Sequence, residues 1–217
     1  MIVVDSSSII SLAVNCLSPL MDRLGVEFVV TPKVYDEIVS KPSDSRRFAL
    51  ESMRIRRLIT AGAITVRGPT TDLQSRILSA ANRVYRIRGR ELKIIHQAEA
   101  EALALAAEIK AEALMIDERT TRLLMEDPHE LRELLSHRNK ADVVLDEPSL
   151  DRLCGLLPDV PVIRSAELAA VAYEKGFLTR MHGVEDKSVL EAALAALKFS
   201  GCAITWDEIE EYQKAVI

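Results

Sequence analysis

Met1-Ile2-Val3-Val4-Asp5-Ser6-Ser7-Ser8 is a short apolar run that ends on a carboxylate and passes directly into a serine-rich turn. A buried strand delivering an acid to its C-terminal end is how open α/β sheets build their sites. Three further acids stand in comparable contexts: Glu37 and Glu101 within helical patterns, and Asp117 after the apolar run Ala113-Leu114-Met115-Ile116. Four carboxylates on separate elements converge only if their repulsion is offset, and hard divalent ions are the usual means.

Working outward from that strand, β and α patterns alternate through the first 125 residues. Ile2–Val4 reads as a strand and Ser8–Asn15 as a helix opened by the serine turn. Val26–Val30 is a second strand, followed by Thr31-Pro32, a helix start with Thr as cap and Pro in the first turn. That helix carries Glu37 and stops near Lys41-Pro42. The pattern predicts a helix from Asp44 to Thr60, a strand at Ala63–Val66, and a helix from the Thr71-Asp72 cap to about Arg88-Gly89. Gln97–Lys110 is strongly helical, Ala113–Ile116 a strand and Arg119–Met125 a helix. Such alternation implies a parallel sheet with helices on both faces. Residues 127–159, broken by Asp127-Pro128, Glu147-Pro148 and Leu157-Pro158, read as an insertion or flap. Val160–Ile163 resumes as strand, Ser165 to about Lys175 as helix. Asp186–Phe199 and Trp206–Ala215 read as C-terminal helices, the latter capped by Thr205. The expected organisation is one domain over residues 1–180 with a helical extension, 181–217, packed on it.

Composition bounds the rest. The chain has 217 residues, enough to bury a full core. No apolar run approaches the ~20 residues that span a bilayer, and Met1 leads into a strand without a basic leader or cleavage site. Cys16, Cys154 and Cys202 show no paired spacing and read as small buried side chains. The expectation is a cytoplasmic protein with no membrane association. Charge is uneven: twelve basic residues between positions 46 and 93 face three acidic ones, so +9 there leaves −14 elsewhere in a chain of net −5. Eleven of the twelve are Arg, whose planar fork suits phosphate. Arg46, Arg47, Arg54, Arg57, Arg83, Arg86, Arg88 and Arg90 are the candidates for RNA contact; the same run serves equally as a solvated helical face. Arg138, Asn139 and Lys140 read as a solvated loop within reach of such a substrate.

Taken singly, Asp5 and Asp117 read as helix caps and Glu37 as a surface helix residue. Glu101 is harder to dismiss, because it precedes the small-residue helix Ala102-Leu103-Ala104-Leu105-Ala106 that should pack closely on the sheet. Glu99 and Glu101 lie about 200° apart on a helix, so only one of them faces the site. Glu101 is the one assigned there, with Glu99 at its rim.

In order, Val3-Val4-Asp5-Ser6-Ser7-Ser8-Ile9-Ile10, Thr31-Pro32-Lys33-Val34-Tyr35-Asp36-Glu37-Ile38, Ala98-Glu99-Ala100-Glu101-Ala102-Leu103-Ala104-Leu105-Ala106 and Leu114-Met115-Ile116-Asp117-Glu118-Arg119 resemble the successive motifs of PIN-domain nucleases. That family includes the VapC-type toxin ribonucleases. The resemblance covers residues 1–125, with Val160–Leu178 similar to the family's closing strand and helix. It implies a three-layer α/β/α sandwich and a metal-dependent endoribonuclease. Carried over by position, Asp5, Glu37, Glu101 and Asp117 form the acidic quartet, with Asp5, Glu101 and Asp117 holding one or two Mg²⁺ or Mn²⁺ ions. Ser7 supplies a supporting hydroxyl, and Glu99 and Glu118 are accessory acids. Arg119-Thr120-Thr121 stands where a further Asp often follows. Partners implied are RNA, an antitoxin or other protein, and a second copy of the chain.

The chemistry is consistent with that set. All-oxygen ligands select hard ions over zinc, and such ions both lower the pKa of water and neutralise phosphodiester charge. A haloacid-dehalogenase-type phosphatase would need Asp where Ser7 stands, and a dinucleotide-binding fold would need a Gly-rich turn at Ser6–Ser8. The alternative function is a PIN-like module that binds RNA or protein without cutting.

Overall fold

The computed structural model describes residues 1–43, 48–182 and 188–215. Strand β1 (Ile2–Val4) runs into α1 (Ser6–Val14) and the short α2 (Pro19–Arg23). Strand β2 (Phe28–Val30) leads to α3 (Pro32–Tyr35), a π-helical turn (Asp36–Ser40) and α4 (Lys41–Ser43). Next come α5 (Ala49–Thr60), β3 (Ile64–Val66), α6 (Leu73–Val84), β4 (Tyr85–Ile87) and β5 (Arg90–Glu91). They are followed by α7 (Gln97–Ile109), β6 (Ala113–Met115), α8 (Arg119–Glu126), α9 (Pro128–Asn139), β7 (Val143–Leu145) and α10 (Glu147–Cys154). The chain ends in β8 (Val162–Ile163), α11 (Ser165–Glu174), α12 (Phe177–His182), α13 (Ser188–Phe199) and α14 (Trp206–Ala215).

Five strands form a wholly parallel sheet in the order β3-β2-β1-β6-β8. The strands are short, and their residues alternate between two cores as the pleat requires. Val3, Val29 and Leu114 face one core; Val4, Val30, Ile64 and Met115 face the other. Helices α1, α5, α11 and α13 pack on the second side, and α6, α7 and α10 on the first. This is the α/β/α sandwich expected from the sequence. Because β1 lies between β2 and β6, the chain order reverses there. Asp5 and Asp117 each fall just past the end of one of those two adjacent strands, at the crevice such a reversal opens.

The largest departure from the sequence reading lies between residues 73 and 159. The helix expected to reach Arg88-Gly89 stops at Val84, and Tyr85–Ile87 becomes a strand. Tyr-Arg-Ile suits a pleated, half-buried surface better than a helix. Tyr85 is fully buried, and its hydroxyl donates to the Pro128 carbonyl at 2.8 Å. Arg88 and Gly89 both take positive φ, as a two-residue hairpin between β4 and β5 demands. Strand β7 pairs antiparallel with β4, making a second sheet in the order β5-β4-β7. Thus residues 128–154 fold as helix, strand and helix, and they bury Leu131, Leu135, Val143, Leu150 and Leu153 in the same core as α7. Proline at the first turn of α9 and α10 opens those helices rather than breaking them.

The arginine-rich run is divided by the sheet. Arg54 and Arg57 lie on α5, on the α1 side, where Arg54 donates to the Ala13 carbonyl at 3.1 Å. Arg83, Arg86, Arg88 and Arg90 lie on or beside α6 and β4, on the opposite side. Arg46 and Arg47 fall outside the described residues. All three cysteines are free thiols, but only Cys202 is buried; Cys16 and Cys154 are exposed, contrary to expectation. Among the described residues no helix is long and apolar enough to cross a membrane.

Arg164 clamps the C-terminal helices to the sheet. It caps α11, pairs with Glu167 at 2.6 Å and Glu208 at 2.8 Å, and donates to the Ala203 carbonyl at 2.8 Å. Tyr212 adds a hydroxyl bond to Glu167 at 2.6 Å. Arg164 is buried while its partners are partly exposed. Arg164→Met should therefore cost about 2 kcal/mol in a urea titration, below the 3–5 typical of a fully buried pair.

Candidate active site

Asp5 is the N-cap of α1. Its Oδ2 accepts the Ser7 backbone N–H at 3.0 Å and the Ser7 hydroxyl at 2.7 Å. Its Oδ1 is buried and meets no hydrogen-bond donor. Burial pushes the Asp5 carboxyl up to about 6, the Ser7 bonds pull it down, and the charge of Glu99 raises it again. A buried carboxylate oxygen left open is costly, and in native proteins it ordinarily has an ion or water as its partner.

Asp117 is buried and fully engaged. Oδ1 accepts the Ser8 hydroxyl at 3.1 Å and the Ser165 N–H at 2.7 Å, and Oδ2 accepts the Ser165 hydroxyl at 2.5 Å. Its own N–H donates to Ser7 Oγ at 3.3 Å. The carboxylate therefore ties β6 to α1 and to the start of α11, leaving neither oxygen open. Ser8 is visible in the serine run; Ser165 lies 48 residues downstream and carries no sequence signal.

Glu99 and Glu101 both lie in the first turns of α7, and the Asp5 carboxyl feels the charge of Glu99. Glu99 Oε2 accepts the His96 N–H at 3.1 Å, closing the first turn of α7. Glu101 instead accepts the Lys33 N–H at 2.8 Å. That N–H belongs to the first turn of α3 and has no intrahelical partner, so a carboxylate is held there. Glu101 lines a separate cavity of about 220 Å³ with Lys33, Gln74, Ser75 and Gln97. Glu37 sits half-buried on the π-helical turn, closed by Lys41 N–H to Asp36 carbonyl, and makes no hydrogen bond or ion pair among the described residues. Such turns recur at functional sites.

Glu118 caps α8 by accepting the Thr121 N–H at 2.8 Å. With Glu99 it lines a cavity of about 400 Å³ whose other walls include Lys93, Thr120, Arg138 and Asn139. The lining thus combines two acids with two cations, one of them from the segment after residue 127. Among the described residues no three acidic, His or Cys side chains stand together as a preformed metal cluster. The four acids of the sequence-derived quartet thus have different hydrogen-bond surroundings: Asp5 with Ser7, Asp117 with Ser8 and Ser165, Glu101 with the Lys33 N–H, and Glu37 on the π-helical turn.

A parallel sheet whose order reverses at β1, with an acid just past β1 and another just past β6, defines an open α/β/α domain with its crevice at those acids. The family model of the PIN domain matches residues 1–127, more than half the chain, and the protein belongs to the PIN-domain family. No curated protein matches it.

Two outcomes follow. Asp117→Asn places an amide N–H₂ against the Ser165 donors and should cost about 3 kcal/mol by denaturant titration. For Asp5 the folded carboxyl holds its proton to about 6 against an ordinary 3.8. The folded state then binds the proton more tightly, so this stability is full below the ordinary value and lost as pH rises through about 6. In chelator-treated protein, Asp5→Asn should raise stability by up to about 3 kcal/mol at about pH 7.5 and change little at about pH 4.

Proposed function

We propose that this protein is a metal-dependent endoribonuclease that hydrolyses single-stranded or structured RNA, centred on Asp5 and Glu99. The open buried oxygen of Asp5 beside Glu99 carries the reading: an acceptor fixed in direction by Ser7, next to a second carboxylate, is a binding place for a hard cation. Mg²⁺ needs only one or two carboxylates when water and substrate phosphate complete its shell, so the residues present fit the group. A bound Mg²⁺ or Mn²⁺ would supply charge neutralisation and a water of lowered pKa.

The chain's own residues do the remaining work. Ser7 holds Asp5 by both its N–H and its hydroxyl, so Oδ1 keeps one orientation without reorganisation. Asp117 sets the distance between β6 and α1 and so supports Ser7 from below. Glu99 and Glu118 are the acids lining the adjoining cavity, and Lys93 and Arg138 line it as phosphate-binding cations. Glu118 thereby takes the place in the acidic set that the departure at Arg119-Thr120-Thr121 leaves open. In the same reading, a toxin ribonuclease is restrained by a partner. Phe199 and Trp206, exposed and in edge-to-face contact at 5.8 Å, offer that partner an aromatic surface.

A second reading has one observation in its favour. Without a preformed three-ligand cluster among the described residues, the domain could bind RNA and leave it intact. Purified protein incubated with a mixed single-stranded RNA pool in chelator, Mg²⁺ or Mn²⁺ separates the two. The nuclease yields products only with metal, and Asp5→Asn or Glu99→Gln lowers the rate on the order of 10²-fold or more. RNA retained but uncut by wild type at saturating Mn²⁺ establishes the binding module instead.

A further inference from the structure

A groove on the α6 side of the molecule lies apart from the acidic centre. Arg76, Ser79, Ala80 and Arg83 stand at i, i+3, i+4 and i+7 on α6 and so form one stripe. Across from them α10 presents Ser149 and Arg152, and the space between is about 470 Å³. Arg76 and Arg83 are exposed and two turns apart, roughly 10 Å along the helix. Arg152 is aimed by its own helix, donating to the Pro148 carbonyl at 3.0 Å and to Ser149 Oγ at 3.1 Å. None of the three forms a salt bridge among the described residues. At the α10 end Asp146 is held below the usual carboxylate range by its bond from Ser149, with Arg86 and Arg152 contributing. Unpaired arginines converging on a concave surface are arranged for an anion.

The groove also borders the cavity that Glu101 lines. Ser75 lines both it and the smaller cavity containing Lys33, Gln74, Gln97 and Glu101. That cavity abuts the first turns of α3 and α7, and the same turn of α7 carries Glu99. A chain of phosphates lying against Arg152, Arg83 and Arg76 thus has a polar path past Ser75 toward the N-terminal end of α7.

We infer that the groove between α6 and α10 is a backbone-binding track for single-stranded RNA, with Arg76, Arg83 and Arg152 as its phosphate contacts. The inference rests on the reading of the protein as an RNA-acting domain. Arg76 lies in the arginine-rich run without standing out from it, and Arg152 lies far outside it. Only the packing of α10 on α6 brings the three together. The walls offer guanidinium and hydroxyl groups rather than a stack of aromatic rings, so the track reads backbone charge and carries little sequence preference.

The test is fluorescence anisotropy of a short labelled single-stranded RNA of mixed sequence, titrated in chelator so that nothing is cut. Wild type is compared with Arg76→Ala/Arg83→Ala/Arg152→Ala, and with a control losing equal charge on the other side of the sheet, Arg23→Ala/Lys175→Ala/Lys214→Ala. The groove variant should bind at least 10-fold more weakly, and its log–log salt slope should fall by about 2, or roughly 0.7 per lost contact. The control should stay within about 3-fold of wild type, and all three proteins should melt together because the altered side chains are exposed. Equal weakening in both variants, or none in the groove variant, overturns the track. The cleavage reading is tested independently by adding Mn²⁺. Groove-dependent binding without cleavage keeps the track and removes the nuclease. Cleavage whose kcat/KM is untouched in the groove variant keeps the nuclease and removes the track, and no RNA binding by wild type removes both.

Discussion

The buried carboxylate of Asp117 is the constraint on which the site depends. It accepts from Ser8 on α1 and twice from Ser165 on α11, while its backbone N–H reaches Ser7. Three elements from distant parts of the chain are thereby fixed at the C-terminal edge of the sheet. Ser7, held in this way, in turn fixes one oxygen of Asp5 and leaves the other open. An apolar residue at position 117 would fill the space but leave three donors without an acceptor, which in a dry interior is the more serious loss.

Asp5 and Asp117 are both acids at the ends of adjacent parallel strands, yet their environments assign them opposite work. Both oxygens of Asp117 accept hydrogen bonds that tie the sheet edge together. Asp5 has donors on one side only, a neighbouring carboxylate in Glu99, and a pKa pushed up to about 6. Such a group weakens the fold at neutral pH. Instability of this kind concentrates where a ligand is expected. Glu101, though buried, satisfies the start of α3 and positions the segment that carries Glu37.

Positive charge follows the same logic of placement over composition. A run of arginines that is continuous in sequence is split across two faces of the sheet, and Arg54 is partly occupied by the Ala13 carbonyl. Residues 127–159 instead contribute to two of the cavities that combine cations with polar groups: Arg138 and Asn139 to the one beside Glu99, Ser149 and Arg152 to the groove along α6. What reads in sequence as an interruption is folded into the second sheet through β7 and shares the core of α7.

The amino-acid sequence by itself determined the βα alternation, the positions of β1, β2 and β6, and the acids that follow the strands. Those features are written in local apolar runs, caps and periodicities a few residues long. It also carried the Thr31-Pro32 helix start and the Thr205 cap, since capping acts within one turn. It did not show that Tyr85–Ile87 leaves the helix: β5 pairs with that strand locally, but its other edge is held by β7, more than fifty residues later. Nor could it tell which of Glu99 and Glu101 the Asp5 carboxyl feels, which turns on the packing of α7 against β1. Tertiary structure alone decided that Asp117 is consumed by Ser165 and that Arg76, Arg83 and Arg152 face one another. Long-range hydrogen bonds and helix packing leave no trace in local pattern, and on them depends which of several similar side chains remains free to act.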